Sequence, residues 1–155
     1  MGQSLSQLYV HLIFGTKGRR PYIKKEIRDQ LNAYLIGTLK AYESPSIRTN
    51  CVEDHVHILF RLSKNVALSK VVEEVKKQSS KWMKQIEGGH PTFEWQIGYA
   101  AFSVSSSKVN VEDKYIQNQE EHHKKRMFRE EVESFLKKYD VIYSKSRGTS
   151  QETDV

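Results

Sequence analysis

Apolar and polar positions divide this 155-residue chain into a readable succession of elements. Residues 8–16 (LYVHLIFGT) favour a strand, which ends at Lys17-Gly18-Arg19-Arg20-Pro21, a basic loop punctuated by glycine and proline. Ile27, Leu31, Leu35, Leu39 and Tyr42 recur at helical spacing, predicting a helix over about 24–42 that Ser44-Pro45 stops. Residues 47–52 and 56–62 read as two strands joined tightly around Glu53-Asp54, a hairpin. Asn65 is placed to cap a second helix reaching about residue 86, with Val71, Val75, Trp82 and Ile86 inward. Gly88-Gly89-His90-Pro91 is a break, and 93–96 with 100–104 suggest a bent last strand. Ser105, Ser106 and Ser107 offer caps for a third helix over about 108–127. A short fourth helix carries Phe128, Val132, Phe135 and Tyr139.

This order predicts an α+β fold of the ferredoxin-like (RRM-like) type. Its antiparallel sheet would have four or five strands, with helices on one face and the other free for a ligand. Residues 1–143 form one expected domain, and 144–155 a flexible polar tail.

A net charge of +6 and a pI near 9.3 point to a polyanionic partner. The one cysteine, Cys51, excludes an internal disulfide and suits a reducing, cytoplasmic compartment. No stretch approaches the roughly 20 apolar residues that span a bilayer, and no secretory signal is legible. The opening Met1-Gly2-Gln3-Ser4-Leu5-Ser6 fits the myristoylation pattern without the partner signals for stable anchoring, so no membrane partner is expected.

The chemistry concentrates in two segments. In Asp54-His55-Val56-His57-Ile58-Leu59-Phe60, a strand would point His55 and His57 the same way, roughly 6.5–7 Å apart at the backbone. Two imidazoles at that spacing can converge on one metal ion, or can be packed strand histidines that bind nothing. In Tyr115-Ile116-Gln117-Asn118-Gln119, a helix would set Tyr115 and Gln119 one turn apart on a shared face, with His122 on that face too. A metal pair beside a phenol and an amide oxygen suggests a nuclease whose nucleophile is tyrosine.

Taken in order, YVHLIFGTKGRRPYI, EDHVHILF, KKQSSKW, FEWQIGYAAFSVS and YIQNQEEHHKK resemble the single-tyrosine transposases of the HUH superfamily, in particular their REP-associated relatives. The resemblance implies His55 and His57 as metal ligands, Gln119 as the third and Tyr115 as the nucleophile. It also implies a 5′-phosphotyrosine bond to hairpin-associated single-stranded DNA, a homodimer, and a tyrosine helix that can complete the partner subunit's site. Imidazole and amide donors leave a divalent cation its full charge; Mg²⁺ suits the oxygen donors and Mn²⁺ the imidazoles, so either metal is expected to serve. An unperturbed tyrosine, with a pKa of about 10, needs a proton acceptor, and none is legible within one turn of Tyr115.

Candidate DNA contacts are Lys17, Arg19 and Arg20 in the first loop, Lys77, Lys81 and Lys84 on the second helix, and His122, with Tyr22 or Trp82 available to stack on bases. Two rival functions stand beside the transposase: a single-stranded nucleic-acid-binding module with structural histidines, and a metal nuclease that uses water.

Overall fold

A computed structural model of the chain describes residues 2–119 and 128–138. Strand β1 (Leu8–Gly15) is followed by α1 (Lys25–Ala41), the hairpin β2 (Ser46–Cys51) and β3 (His55–Leu62), α2 (Leu68–Gln85), β4 (Ala100–Val104), α3 (Val109–Gln117) and α4 (Phe128–Lys138). The sheet order is β2-β3-β1-β4, and every pairing is antiparallel. That is the ferredoxin-like arrangement expected, with four strands and the two long helices on one face. Of the bent last strand expected over 93–96 and 100–104, only the second part forms a strand, while the first contributes an isolated bridge between Trp95 and Thr16. The expected tail, 144–155, lies outside the described residues.

Alternation along each strand sorts residues between the two faces. Val10, Leu12 and Phe14 of β1 join Val56, Ile58 and Phe60 of β3 in the main core. Against them α1 lays Ile27, Leu31, Leu35 and Leu39, each at most 1% exposed, and α2 adds Val71, Val75 and Met83. Trp82 is half-buried and stacks on Tyr34 of α1 at the rim of this core.

The opposite face is not left free. Tyr9, Leu59 and Val104 pack with Val109, Tyr115 and Ile116 of α3, while Ile13, Ala100 and Phe102 pack with Val132 and Leu136 of α4. Burial on both sides explains why β1 and β3 read as nearly continuous apolar runs. Asn50 Nδ2 donates to the carbonyls of Ile116 and Gln117, and Arg48 Nε meets Asp113 Oδ1 at 2.6 Å, fastening α3 to β2.

Three local expectations are corrected. Asn65 does not cap α2, which begins after Ala67 with no side-chain cap. The serines do not cap α3 with their side chains; Ser106–Lys108 form a 3₁₀ turn that leads into it. The third helix, expected to run unbroken past residue 119, closes at Gln117 with Asn118 as its C-cap, where the backbone forms a turn.

Burial leaves Cys51 3% exposed and pushes its thiol up to about 12. At pH 8 only about one thiol in ten thousand would then be the reactive thiolate. Thiol reagents are expected to leave the native protein unlabelled and to label it fully in denaturant; rapid native labelling at pH 8 would contradict this packing.

Candidate active site

Three histidines project from the face covered by α3 and α4. In the sheet register His57 lies opposite Ile13 and His55 opposite Gly15, which makes His11 and His57 diagonal neighbours. All three are fully buried. An imidazole taken out of water must find hydrogen-bond partners, and each one does. His55 Nδ1 lies 2.7 Å from Asp54 Oδ1, His57 Nδ1 lies 2.8 Å from His11 Nε2, and His11 Nδ1 lies 2.9 Å from Glu112 Oε2.

The second nitrogens of His55 and His57 converge on one carboxylate. Glu131 of α4 places Oε2 3.2 Å from His55 Nε2 and Oε1 3.1 Å from His57 Nε2. Tyr115 donates its hydroxyl to Glu131 Oε1 at 2.5 Å, and its ring centre lies 6.0 Å from that of His57. Gln119 Nε2 donates to both Glu131 oxygens at 3.1 Å and lies 3.0 Å from His55 Nε2. Tyr115, His55, His57 and Gln119, all singled out from sequence, therefore meet around Glu131 within one chain. Although a turn at Asn118 separates Gln119 from α3, the amide still reaches the site.

Electrostatics follow from burial. Desolvation drives the His57 imidazole down to about 4 against the opposing pull of Glu131, so it is a neutral lone-pair donor at pH 7. Burial also works to lower His55, but hydrogen bonds to Asp54 and Glu131 outweigh it and raise the group. Burial opposes ionisation of Glu131, yet its close contacts with the imidazoles of His55 and His57 hold its carboxyl far below the usual carboxylate range.

The donor set fits a divalent cation. The ligand atoms of His55, His57 and Glu131 all lie within 4.8 Å of one another. Ligands about 2.0–2.2 Å from one ion sit roughly 3–4 Å apart, which the contacts of 3.1 and 3.2 Å match. Gln119 Oε1 is buried and has no hydrogen-bond partner among the described residues. A half-rotation of that amide would turn this oxygen to where its nitrogen now points. The carboxylate, rather than the amide oxygen expected from sequence, is the donor seated between the two imidazoles.

The other candidates divide. The loop of Lys17, Arg19 and Arg20 follows β1 directly, and the backbone N–H of Thr16 donates to the Asp54 carbonyl, which fixes the loop to the start of the histidine strand. Gly18 has φ +64°, a left-handed conformation that glycine adopts freely, and this turns the loop outward. Lys17 and Arg20 are exposed and line a cavity of about 480 Å³ with Tyr22 and Lys84. By contrast, Lys77 and Lys81 are exposed on α2, across the sheet from the histidines, and do not join the site. His122 lies outside the described residues.

Sequence reasoning missed Glu131, His11 and Glu112. In the sequence Glu131 falls three residues after Phe128 and four before Phe135, and Glu112 shares the face of Val109 and Ile116. An acidic residue on the apolar face of a helix is the signal that could have found both.

Similarity to known proteins agrees with this geometry. The family model described as "Transposase IS200 like" matches residues 4–119. No curated protein matches the chain. Among solved structures the fold resembles that of a candidate transposase from Deinococcus radiodurans R1, with 23% identity and a TM-score of 0.57 over 77% of this chain and 96% of that one. It also resembles a REP-associated tyrosine transposase bound to a REP hairpin, with 15% identity and a TM-score of 0.59 over 79% of this chain and 74% of the other.

Titration with Mn²⁺ is expected to reveal one tight site per chain. His57→Ala and Glu131→Ala should each weaken it at least about tenfold, because removing either breaks the three-donor set. Unchanged affinity in both variants, read by the electron paramagnetic resonance signal of free Mn²⁺, would place the metal elsewhere.

Proposed function

Because the chain belongs to the IS200-like transposase family, we propose that it cleaves and rejoins single-stranded DNA beside a hairpin, using Tyr115 as the nucleophile. The observation that carries this reading is the Tyr115 hydroxyl held at 2.5 Å on a carboxylate that also contacts both strand histidines. Nucleophile and metal donors thus meet at one point.

The Tyr115 oxygen attacks the scissile phosphorus, forming a 5′-phosphotyrosine ester as the bond to the 3′-oxygen breaks. That oxygen takes up a proton and leaves as a free 3′-hydroxyl. A divalent cation, Mg²⁺ or Mn²⁺, held by His55 Nε2, His57 Nε2, the Glu131 carboxylate and Gln119 Oε1, would supply the positive charge that polarises the phosphate. Glu131 Oε1 is the acceptor for the phenolic proton. Between ordinary values of about 10 and about 4.3 the transfer is already uphill by about 8 kcal/mol, and the lowering of Glu131 adds to this, so Glu131 forms no resting tyrosinate. It takes the proton as the oxygen–phosphorus bond forms. The ester stores the energy of the broken bond, so a 3′-hydroxyl can attack it and rejoin the strands.

The proposed site is completed in cis, since Tyr115, Gln119, His55 and His57 all contact Glu131 of the same chain. As a homodimer the protein would hold one such site per subunit. The catalytic unit would extend over residues 1–143, and DNA-bound protein would reside in the cytoplasm. Lys17 and Arg20 would track the phosphates that enter beside Asp54, with Tyr22 as a stacking surface. The relative solved with a REP hairpin supports the hairpin as the DNA element recognised.

Purified protein is to be mixed with single-stranded oligonucleotides tiling the flanks of its own gene, with Mg²⁺ or Mn²⁺, and resolved on denaturing gels. A covalent protein–DNA adduct is expected, lost in Tyr115→Phe while binding persists. Cleavage without an adduct would favour attack by water, and binding without cleavage would favour a binding module. Lys17→Ala combined with Arg20→Ala should reduce the slope of log affinity against log salt by about 1.4, roughly 0.7 for each phosphate no longer neutralised. An unchanged slope removes the loop from the interface.

A further inference from the structure

We infer that the buried pair Glu112–His11 is a positioning device that holds His57 in the one tautomer able to offer Nε2 to a metal. The inference rests on the reading of His57 as a metal ligand and adds to it the group that prepares that ligand. His57 can offer Nε2 to a cation only if its ring proton sits on Nδ1. The group 2.8 Å from that Nδ1 is His11 Nε2, which must then be a bare acceptor. For His11 to be neutral and bare at Nε2, its own proton must sit on Nδ1, and there Glu112 Oε2 waits at 2.9 Å. The chain of protons reads Glu112, His11, His57, then the site.

Burial makes this chain strict. His11 and His57 are fully buried and Glu112 is 2% exposed, so solvent cannot stand in for a missing acceptor. His55 is prepared in the same sense by a shorter route, with Asp54 at its Nδ1. The two ligands therefore differ: His55 leans on the residue beside it in sequence, and His57 leans on a carboxylate from another element.

That element is α3. Glu112 and Tyr115 lie three residues apart on it, nearly one turn, so the contact that orients His57 also fixes the helix that carries the nucleophile. The Tyr115 ring sits 6.4 Å from that of His11 and 6.0 Å from that of His57, beside the relay. Metal ligand and nucleophile are thereby set by one buried connection, and a shift of α3 would loosen both.

Substitutions at His11 separate this role from simple packing. His11→Gln keeps a carbonyl acceptor for His57 and an amide donor for Glu112. His11→Phe fills the space with neither. Groups that orient a metal ligand in this way typically contribute 10- to 100-fold in affinity. Mn²⁺ titration is expected to give at least about a tenfold loss for His11→Phe, with His11→Gln within about threefold of wild type. Glu112→Gln, which leaves His11 in place, should fall between them.

Nitrogen-15 spectra of histidine-labelled wild-type protein loaded with Mg²⁺ give a readout that needs no variant. They should place the His11 proton on Nδ1, with a coupling across the hydrogen bond from His57 Nδ1 to His11 Nε2. A His11 proton on Nε2, or equal Mn²⁺ affinity in folded His11→Phe and wild type, would overturn the relay. Failure of the wild-type protein to bind Mn²⁺ at all would instead overturn the metal reading on which it rests.

Discussion

Histidine nitrogens cannot be buried alone, and that constraint organises this protein. The sheet is covered on both faces, yet one face carries three imidazoles with no access to water. Each unmet polar group there would cost about 1–3 kcal/mol. The fold meets the demand with three carboxylates from three places: Asp54 in the hairpin turn, Glu112 on α3 and Glu131 on α4. Two of these face the outer nitrogens of His55 and His11. The third faces inward and joins His55 Nε2 to His57 Nε2, while His57 Nδ1 and His11 Nε2 meet each other.

The two faces of the sheet consequently do different work. The face under α1 and α2 is mostly apolar, and it supplies the area whose removal from water drives folding. The other face has smaller apolar clusters around Ile13 and Leu59, interrupted by the histidines. Its covering helices bring Tyr115 and Glu112 on α3 and Glu131 on α4 to the histidines, so closing this face assembles the candidate site. A charged centre in a dry cavity gains strength from the low local dielectric and loses tolerance in return, since any missing partner is felt in full.

Much of this is legible in the sequence, and the reasons for the gaps are physical. The spacing of Ile27, Leu31, Leu35 and Leu39 reports one helix face packed on one sheet face, so α1 is found within a residue at each end. His55 and His57 are legible because strand alternation alone puts them together. Glu131 is not, because its meeting with His57 joins residues 74 positions apart, and local pattern carries no such distance. His11 hides for a different reason: in LYVHLIF it passes for a polar interruption of a strand, and only the register with β3 reveals its neighbour. The turn at Asn118 escapes as well, since asparagine is tolerated within helices and periodicity passes over it.

On this reading a cation and the Tyr115 hydroxyl meet at the imidazole pair. Anomalous diffraction at the manganese edge, from crystals grown with Mn²⁺, would locate that cation. One peak is expected about 2.0–2.3 Å from both His55 Nε2 and His57 Nε2, with a Glu131 oxygen completing the contact and the Tyr115 hydroxyl beside it. No peak between the imidazoles at saturating Mn²⁺, with His55 and His57 still bonded to Glu131, would contradict it.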